Sequence, residues 1–319
     1  MHSIAWRHAL CRDKTTPVTT ASASHHVTRP LDAVAAATVV FLCLCWGFNQ
    51  VAVKLAIHDI PPLTQAAIRS LVAALLVAIW AKARGIPLFG RDGTLGAGLA
   101  AGIAFGTEFI LIYQGLVYTT AIRATLFLYL APFIVVIGAR IFLPADRFSL
   151  AQWIGLALSF AGMLVAFGLP TPALDPRQLI GDLMMIGAAL FWATSTLIIK
   201  TSALNRASPE KVMLYQLVVS VPMMAAAALV FGERVTHIPS ALAIGSLVYQ
   251  TVWVVSITFV IWFALVMKYS ASRLSAFTFL TPLFGVAAGH LVLNEPLTVA
   301  FAGAVALVAG GLMLVNRAS

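Results

Sequence analysis

The sequence predicts an all-α polytopic membrane protein, with ten transmembrane helices arranged as two inverted five-helix repeats. Three observations lead to this fold: an apolar composition, ten apolar stretches of spanning length, and similarity between the two halves of the chain. Of the 319 residues, 61% are hydrophobic and 10% are charged, whereas soluble domains average roughly 45–50% apolar and about 25% charged residues. A soluble core cannot bury so much apolar surface, but a bilayer solvates it.

The ten apolar stretches each approach the roughly 20 residues that a helix needs to cross the hydrocarbon core. They do not alternate apolar and polar residues, so helices are expected instead of a β-barrel. Short connections, most of them containing proline or glycine, separate the stretches. The predicted spans are 33–53, 64–81, 95–118, 124–143, 150–169, 183–199, 212–232, 244–267, 274–293 and 297–315.

Residues 1–31 are polar and lack the apolar segment of a signal peptide, which predicts a disordered cytoplasmic tail. Cytoplasmic loops of membrane proteins are enriched in lysine and arginine. Placing the N-terminus in the cytoplasm leaves only five of the twenty basic residues on the opposite face, so both termini are predicted to be cytoplasmic. These five are Lys54, Arg69, Arg123, Arg177 and Arg234.

Two five-helix units are predicted over residues 32–170 and 180–317, because the halves match at an offset of about 146–150 residues. WGFNQVAVK at 46–54 matches WATSTLIIK at 192–200, and AIRATLFLYLAP at 121–132 matches ASRLSAFTFLTP at 271–282. Each unit has an odd number of crossings, so the second enters the membrane from the opposite side. Inverted repeats favour a transporter that works by alternating access around a central site.

These segments, together with GDLMMIGAALFWATSTLIIK at 181–200 and LNEPLT at 293–298, resemble the drug/metabolite transporter superfamily in its EamA branch of ten-helix exporters. The resemblance covers about residues 33–317 and is unspecific for substrate. It implies an inner-membrane exporter of amino acids or related small metabolites. One departure is Asp146, where similar proteins usually carry a glutamate; the corresponding residue of the second half is Glu295.

Polar residues share one face of the first predicted helix, because Trp46, Asn49, Gln50 and Lys54 lie at i, i+3, i+4 and i+8. The sixth helix repeats this face, and together the two faces are predicted to line a substrate pathway. The alternative is that the small polar side chains pack helices and the lysines extend to the membrane surface. The pathway residues of the sixth helix are Trp192, Ser195, Thr196 and Lys200.

Glu108 is the only carboxylate deep within a predicted span. A charge there costs about 2.5–3.5 kcal/mol on insertion scales, which makes Glu108 a functional candidate. We hypothesise that it binds a substrate amine or a coupling proton. The alternative is a protonated or a hydrogen-bonded glutamate that packs against Tyr113 or Gln114. The second half carries Thr258 at the corresponding position.

Arg69, in the second helix, is predicted to attract a substrate carboxylate through charge-assisted hydrogen bonds. The alternatives are extension to the outer interface or pairing with Asp59. Its counterpart in the second half is Gln216. By contrast, Arg123 and Arg273 begin the fourth and ninth helices and are expected to anchor helix ends.

Proline and glycine mark predicted hinges and close contacts. Pro132 and Pro282 interrupt backbone hydrogen bonding in the fourth and ninth helices and are the predicted hinges. Small residues let membrane helices approach closely. Four glycines therefore predict close packing of the fifth and tenth helices, or a homodimer interface. They are Gly155, Gly162, Gly303 and Gly310.

Other functions find little support in the sequence. It contains no nucleophile motif, no H-E-x-x-H and no Cys/His cluster of ligand spacing, so we predict no catalytic residue, metal site or cofactor. Basic residues are dispersed, which argues against nucleic acid as a partner. A P-loop is absent, so an ion or substrate gradient would drive transport.

The expected partners are a small-molecule substrate, the lipid bilayer and a coupling proton. An amphipathic amino acid or organic cation would suit the aromatic residues beside Glu108, which are Trp46, Tyr113, Tyr129 and Trp192. A membrane receptor or scaffold without flux is the alternative function.

Overall fold

The computed structural model describes residues 31–90, 92–143, 146–169, 175–294 and 299–317. Ten helices in these ranges are long and apolar enough to cross a membrane, which confirms the predicted polytopic all-α fold. The predicted tail and Glu295 lie outside the described residues, apart from Leu31.

The first five helices are α1 (Ala33–Ala56), α2 (Pro62–Ala83), α3 (Leu95–Tyr118), α4 (Ala121–Phe142) and α5 (Leu150–Phe167). The other five are α6 (Pro176–Thr201), α7 (Pro209–Val230), α8 (Ala241–Lys268), α9 (Ala271–Val292) and α10 (Val299–Asn316). A short 3₁₀ helix, Ala203–Arg206, connects α6 to α7.

Several helices begin earlier than their apolar stretches because polar residues cap them. The side chain of Asp175 accepts a hydrogen bond from the amide of Arg177, so α6 starts at Pro176 instead of residue 183. Ser208 likewise caps α7 and lets it start at Pro209. A capping side chain satisfies one of the four free amides of a helix N-terminus. The first turn is therefore helical even where it is not apolar.

The two helices that carry the predicted hinge prolines, α4 and α9, are interrupted. Helix α4 consists of the segments Ala121–Leu128 and Ala131–Phe142, and α9 consists of Ala271–Phe277 and Leu280–Leu293. Pro132 and Pro282 lie in the first turn of the second segments, where a missing amide hydrogen costs no helical bond. The breaks fall just before the prolines. Movement at these breaks remains a prediction.

A π-helical segment, Tyr249–Thr258, occupies the middle of α8 and was not expected from the sequence. Its hydroxyl-bearing side chains bond to the widened backbone: Thr251 donates to the carbonyl of Leu247, and Ser256 donates to the carbonyl of Thr251. π-helical turns are rare and often accompany functional sites. This segment ends at the central cavity described below.

Helices α5 and α10 pack directly against each other, as their glycines predict. A Cβ atom on Gly155 would lie 2.5 Å from the carbonyl oxygen of Gly311, and one on Gly162 would lie 2.8 Å from Val308. On α10, however, the closest approach is at Gly311 and not at Gly303 or Gly310. Those two glycines leave ordinary van der Waals distances of 3.9 and 3.7 Å. The packing is internal to the chain.

The adjacent glycines of α10 provide a matched test of this packing. Gly311→Ala is expected to lower the free energy of unfolding by about 1–3 kcal/mol, because its methyl group would overlap backbone atoms of α5. Gly310→Ala should be neutral or slightly stabilising, since it has room and alanine favours a helix. Thermal unfolding of the two purified variants in detergent measures the difference. Equal unfolding temperatures would contradict this packing.

Candidate substrate cavity

A cavity of about 210 Å³ lies inside the helix bundle and is lined by residues of α1–α4 and α6–α9. Its volume is below the roughly 300–1,000 Å³ of pockets for drug-sized ligands, so it suits a small solute. Nine of the eleven predicted pathway residues line it. They are Trp46, Asn49, Gln50, Arg69, Glu108, Tyr113, Trp192, Ser195 and Thr196.

The polar faces of α1 and α6 both reach this cavity, and aromatic contacts hold their tryptophans in place. The indole nitrogen of Trp46 donates to the hydroxyl of Thr258 at 2.9 Å, and its ring lies 5.3 Å from that of Trp262. On the other side, the ring centroid of Trp192 lies 5.8 Å from that of Tyr129. Each half of the chain therefore contributes an aromatic wall.

Arg69 and Glu108 bring a guanidinium group and a carboxyl group to the cavity. Arg69 is 2% exposed and Glu108 is 8% exposed. They are close enough for their charges to interact, but the structure records no direct ion pair between them. The guanidinium carbon of Arg69 instead lies 4.8 Å from the ring centroid of Phe109. Both charged groups therefore remain available to a solute.

The structure distinguishes the alternatives for these two residues. Asp59 does not pair with Arg69; it accepts hydrogen bonds from the amide of Ser240 at 2.7 Å and from His237 at 3.2 Å. The bonds from Ser240 and His237 lower the pKa of Asp59 to about 2. In the described part of the chain, Glu108 accepts no hydrogen bond from Tyr113 or Gln114.

Several buried polar atoms along the cavity have no hydrogen-bond partner in the described residues. They are Oδ1 of Asn49, Nε of Arg69, both amide atoms of Gln216 and Oγ1 of Thr281. Gln216, which is 0% exposed, occupies the position that corresponds to Arg69. Leaving such groups unpaired costs about 1–3 kcal/mol each. A polar solute or water in the cavity would satisfy them.

The sequence analysis missed the apolar lining of α3. Phe105, Phe109, Ile112 and Leu116 all line the cavity. Phe105 precedes Glu108 by three residues, and the other three follow it by one, four and eight residues. All four therefore lie on the same side of the helix as Glu108. Listing the residues that share a helical face with Glu108 would have identified them.

Lys200 does not line the cavity. Its ammonium donates to the carbonyl oxygens of Val266 and Tyr269, each at 2.7 Å, and to that of Met267 at 3.3 Å. These carbonyls are at the C-terminal end of α8, where backbone acceptors lack helical partners. Lys200 is 5% exposed, whereas Lys54, its counterpart on α1, is exposed. The two equivalent lysines therefore have different surroundings.

Further polar contacts join the helix ends near Lys200. Asp146 accepts hydrogen bonds from the hydroxyl of Ser270 and the amide of Ser272. Asp32 accepts one from the hydroxyl of Tyr269 at 2.7 Å. The linker between α8 and α9 is thus bound to α1, to α6 and to the segment before α5. At the opposite end, the cavity residue Gln50 is exposed.

Arg123 lies outside the cavity and joins α4 to α6. Its Nε donates to Oδ1 of Asp182 at 3.0 Å, and the hydroxyl of Thr119 donates to the same oxygen at 2.6 Å. Both side chains of this ion pair are buried. Arg123 therefore fixes the start of α4, in keeping with the anchoring role expected for it.

Known proteins resemble this chain over nearly its whole length. The EamA-like transporter family matches residues 34–168 and again residues 179–317. An uncharacterized transporter of Bacillus subtilis, YvbV, is 29% identical, covering 88% of this chain and 91% of that protein. A probable amino-acid metabolite efflux pump of Salmonella typhimurium is 28% identical, covering 85% of this chain and 91% of that protein.

A second probable amino-acid metabolite efflux pump, from Escherichia coli, is 27% identical over 88% of this chain and 93% of its own length. A crystal structure with 20% sequence identity superimposes with a TM-score of 0.75, covering 88% of this chain and 97% of the other. That likeness concerns the fold. The two family matches together span most of the sequence. This chain therefore belongs to the EamA-like transporter family.

Proposed function

We propose that this transporter is a secondary active exporter of amino acids or related small metabolites across the bacterial inner membrane. The observation that carries the proposal is the cavity, which holds a buried arginine, a buried carboxyl group and aromatic walls inside a bundle of membrane-spanning helices. Such a cavity offers a small polar solute a binding site away from lipid.

Two relatives support both the direction and the substrate class, since each is named a probable amino-acid metabolite efflux pump. Their resemblance extends along the helices that form the cavity. Transport driven by a gradient agrees with the absence of a P-loop motif from the sequence.

Alternating access between two inverted repeats is the mechanism we infer. Helix contacts support this mechanism. Many pairs of packed helices have an equivalent pair in which each helix is replaced by its counterpart from the other half of the chain. Helix α1 packs on the second segment of α9, and α6 packs on the second segment of α4. Likewise, α3 packs on α7 and α2 packs on α8. Two similar halves provide two related arrangements around one site.

The two ends of the cavity support assigning this structure to one of those arrangements. Polar contacts close the end near Lys200, whereas Gln50 and Lys54 are exposed at the other end. The distribution of basic residues supports a cytoplasmic location for the Lys200 end. We infer an outward-facing state, from which opening to the cytoplasm requires Lys200 to leave the carbonyls of α8. Pro132 and Pro282, beside the breaks of α4 and α9, are the proposed hinges.

Counterflow into proteoliposomes tests the proposed function directly. Vesicles containing the purified protein are preloaded with one unlabelled pool and supplied with the corresponding labelled pool. Pools of amino acids, nucleosides, organic cations and sugars are compared, and we expect saturable counterflow of amino acids. Correctly inserted protein without flux from any pool would contradict transport and favour a receptor or scaffold.

Glu108→Gln tests the role of the buried carboxylate. Loss of its charge is expected to lower the rate of amino-acid counterflow at least about tenfold, the effect of removing one charge-assisted hydrogen bond. Where Glu108 also carries the coupling proton, the pH dependence of counterflow should flatten. Asp59→Asn is the matched control, because Asp59 bonds to a surface loop. Unchanged rate and pH profile in Glu108→Gln would exclude both roles.

Lys200→Met tests closure of the cytoplasmic end. The cavity residue Thr196 is replaced by cysteine in a background without the three native cysteines, and labelling by a membrane-impermeant maleimide is measured from the cytoplasmic side. Removing the ammonium should raise the labelling rate about tenfold, because its charge-assisted bonds to α8 are lost. Lys54→Met, at the exposed counterpart, should not raise it. Equal rates with lysine or methionine at position 200 would contradict the proposed closure.

A further inference from the structure

Arg69 is a buried cation for which the described residues supply no hydrogen-bond partner. Its side chain is 2% exposed, its Nε has no partner, and its guanidinium lies over the ring of Phe109. An arginine carries five N–H donors in a planar fork that matches a carboxylate. Burial of a charge without a direct counter-ion is costly, so the cavity favours an anionic group beside Arg69.

Glu108 supplies the opposite charge from the neighbouring helix. It is the only carboxylate among the described residues that line the cavity. Phe109, which contacts the guanidinium of Arg69, directly follows Glu108 on α3. The two charges are therefore held near each other without forming a direct ion pair. A solute with a single charge would satisfy only one of them.

We propose that the substrate is a zwitterion, with its carboxylate bound to Arg69 and its ammonium bound to Glu108. This inference rests on the proposed function, because it takes the cavity to be the transport site. An α-amino acid carries both groups. Its side chain would contact the aromatic lining, which includes Phe105, Tyr113 and Trp192. Organic cations without a carboxylate, and carboxylates without an amine, are expected to bind more weakly.

The charge pair belongs to only one half of the chain and orients the zwitterion. At the corresponding positions, the second half has the neutral residues Gln216 and Thr258. Thr258 is already engaged by the indole of Trp46. Glutamine is thus compatible with the buried position equivalent to Arg69, which makes Arg69→Gln a conservative way to remove the cation.

Ligand-induced thermal stabilisation in detergent tests the proposal without requiring flux. The probes are the common L-amino acids, their α-amides, which lack the carboxylate, and the corresponding carboxylic acids without the amine. In the unaltered protein, one or more amino acids should raise the unfolding temperature at concentrations about 10- to 100-fold lower than their α-amides require. This difference is expected for a charge-assisted hydrogen bond.

Two variants assign the two charges. Arg69→Gln should abolish the preference for amino acids over their α-amides, and Arg69→Lys should retain part of it because the charge remains without the fork. Glu108→Gln should abolish the preference for amino acids over the carboxylic acids that lack the amine. Arg84→Gln, which removes an exposed arginine stacked on Trp80, is the matched control and should keep both preferences.

The outcomes separate this inference from the proposed function. Stabilisation by α-amides as strong as by amino acids, or no stabilisation by any amino acid, would overturn the zwitterion. Counterflow of a solute without a carboxylate would then leave the transporter function intact. Retained preference for the carboxylate in Arg69→Gln would also overturn the proposal, because another group would have to bind it.

Discussion

Backbone amides and carbonyls within a bilayer have no water to bond, so each must be satisfied inside the protein. Helices meet this requirement, and ten spanning helices form most of the described chain. The breaks in α4 and α9 and the end of α8 depart from it. At the end of α8 and the start of α9, side chains supply partners for backbone groups. Lys200 bonds to three carbonyls at the end of α8, and Asp146 accepts a bond from the amide of Ser272.

The need to satisfy every backbone group also affects how the protein can move. A helix that is interrupted, with its free carbonyls held by a side chain, can change its bonding partners more cheaply than a continuous helix. Lys200 and Lys54 occupy equivalent positions but differ in exposure, so the two halves are not in equivalent conformations. In an inverted-repeat transporter, this asymmetry would reverse when the cavity opens to the other side. The polar contacts around Tyr269 are then the interactions that must break.

Electrostatics in the cavity follow from its dry, apolar walls. Phe105, Phe109 and Tyr113 form much of the α3 side, so the charges of Arg69 and Glu108 have few polar neighbours. Low polarity strengthens each charge's attraction for an opposite charge and raises the cost of leaving it unpaired. A solute that carries both charges compensates both groups at once. Specificity for such a solute would follow because a solute with a single charge leaves one of the two groups unpaired, at a cost in binding free energy.

Local sequence patterns were sufficient for the helices and for much of the cavity. Apolar stretches of about 20 residues identify spans because the bilayer has a fixed thickness, and the helical repeat places Trp46, Asn49 and Gln50 on one face. An isolated intramembrane carboxylate marks Glu108 because its burial is expensive. The same reasoning placed Lys200 in the pathway, since the repeat cannot show whether a lysine reaches a cavity or a neighbouring helix end.

Features that depend on distant partners emerged only in the folded bundle. Gly310 and Gly311 are neighbours with the same side chain, yet only Gly311 lies against α5, because the crossing of two helices selects one residue per turn. The π-helical segment of α8 and the cavity position of Gln216 likewise result from packing between helices. The chain's own pattern thus determined its membrane-spanning helices and its candidate charges. Tertiary packing decided which candidate side chains lie in the same cavity, because that depends on the relative positions of the helices, which no local pattern specifies.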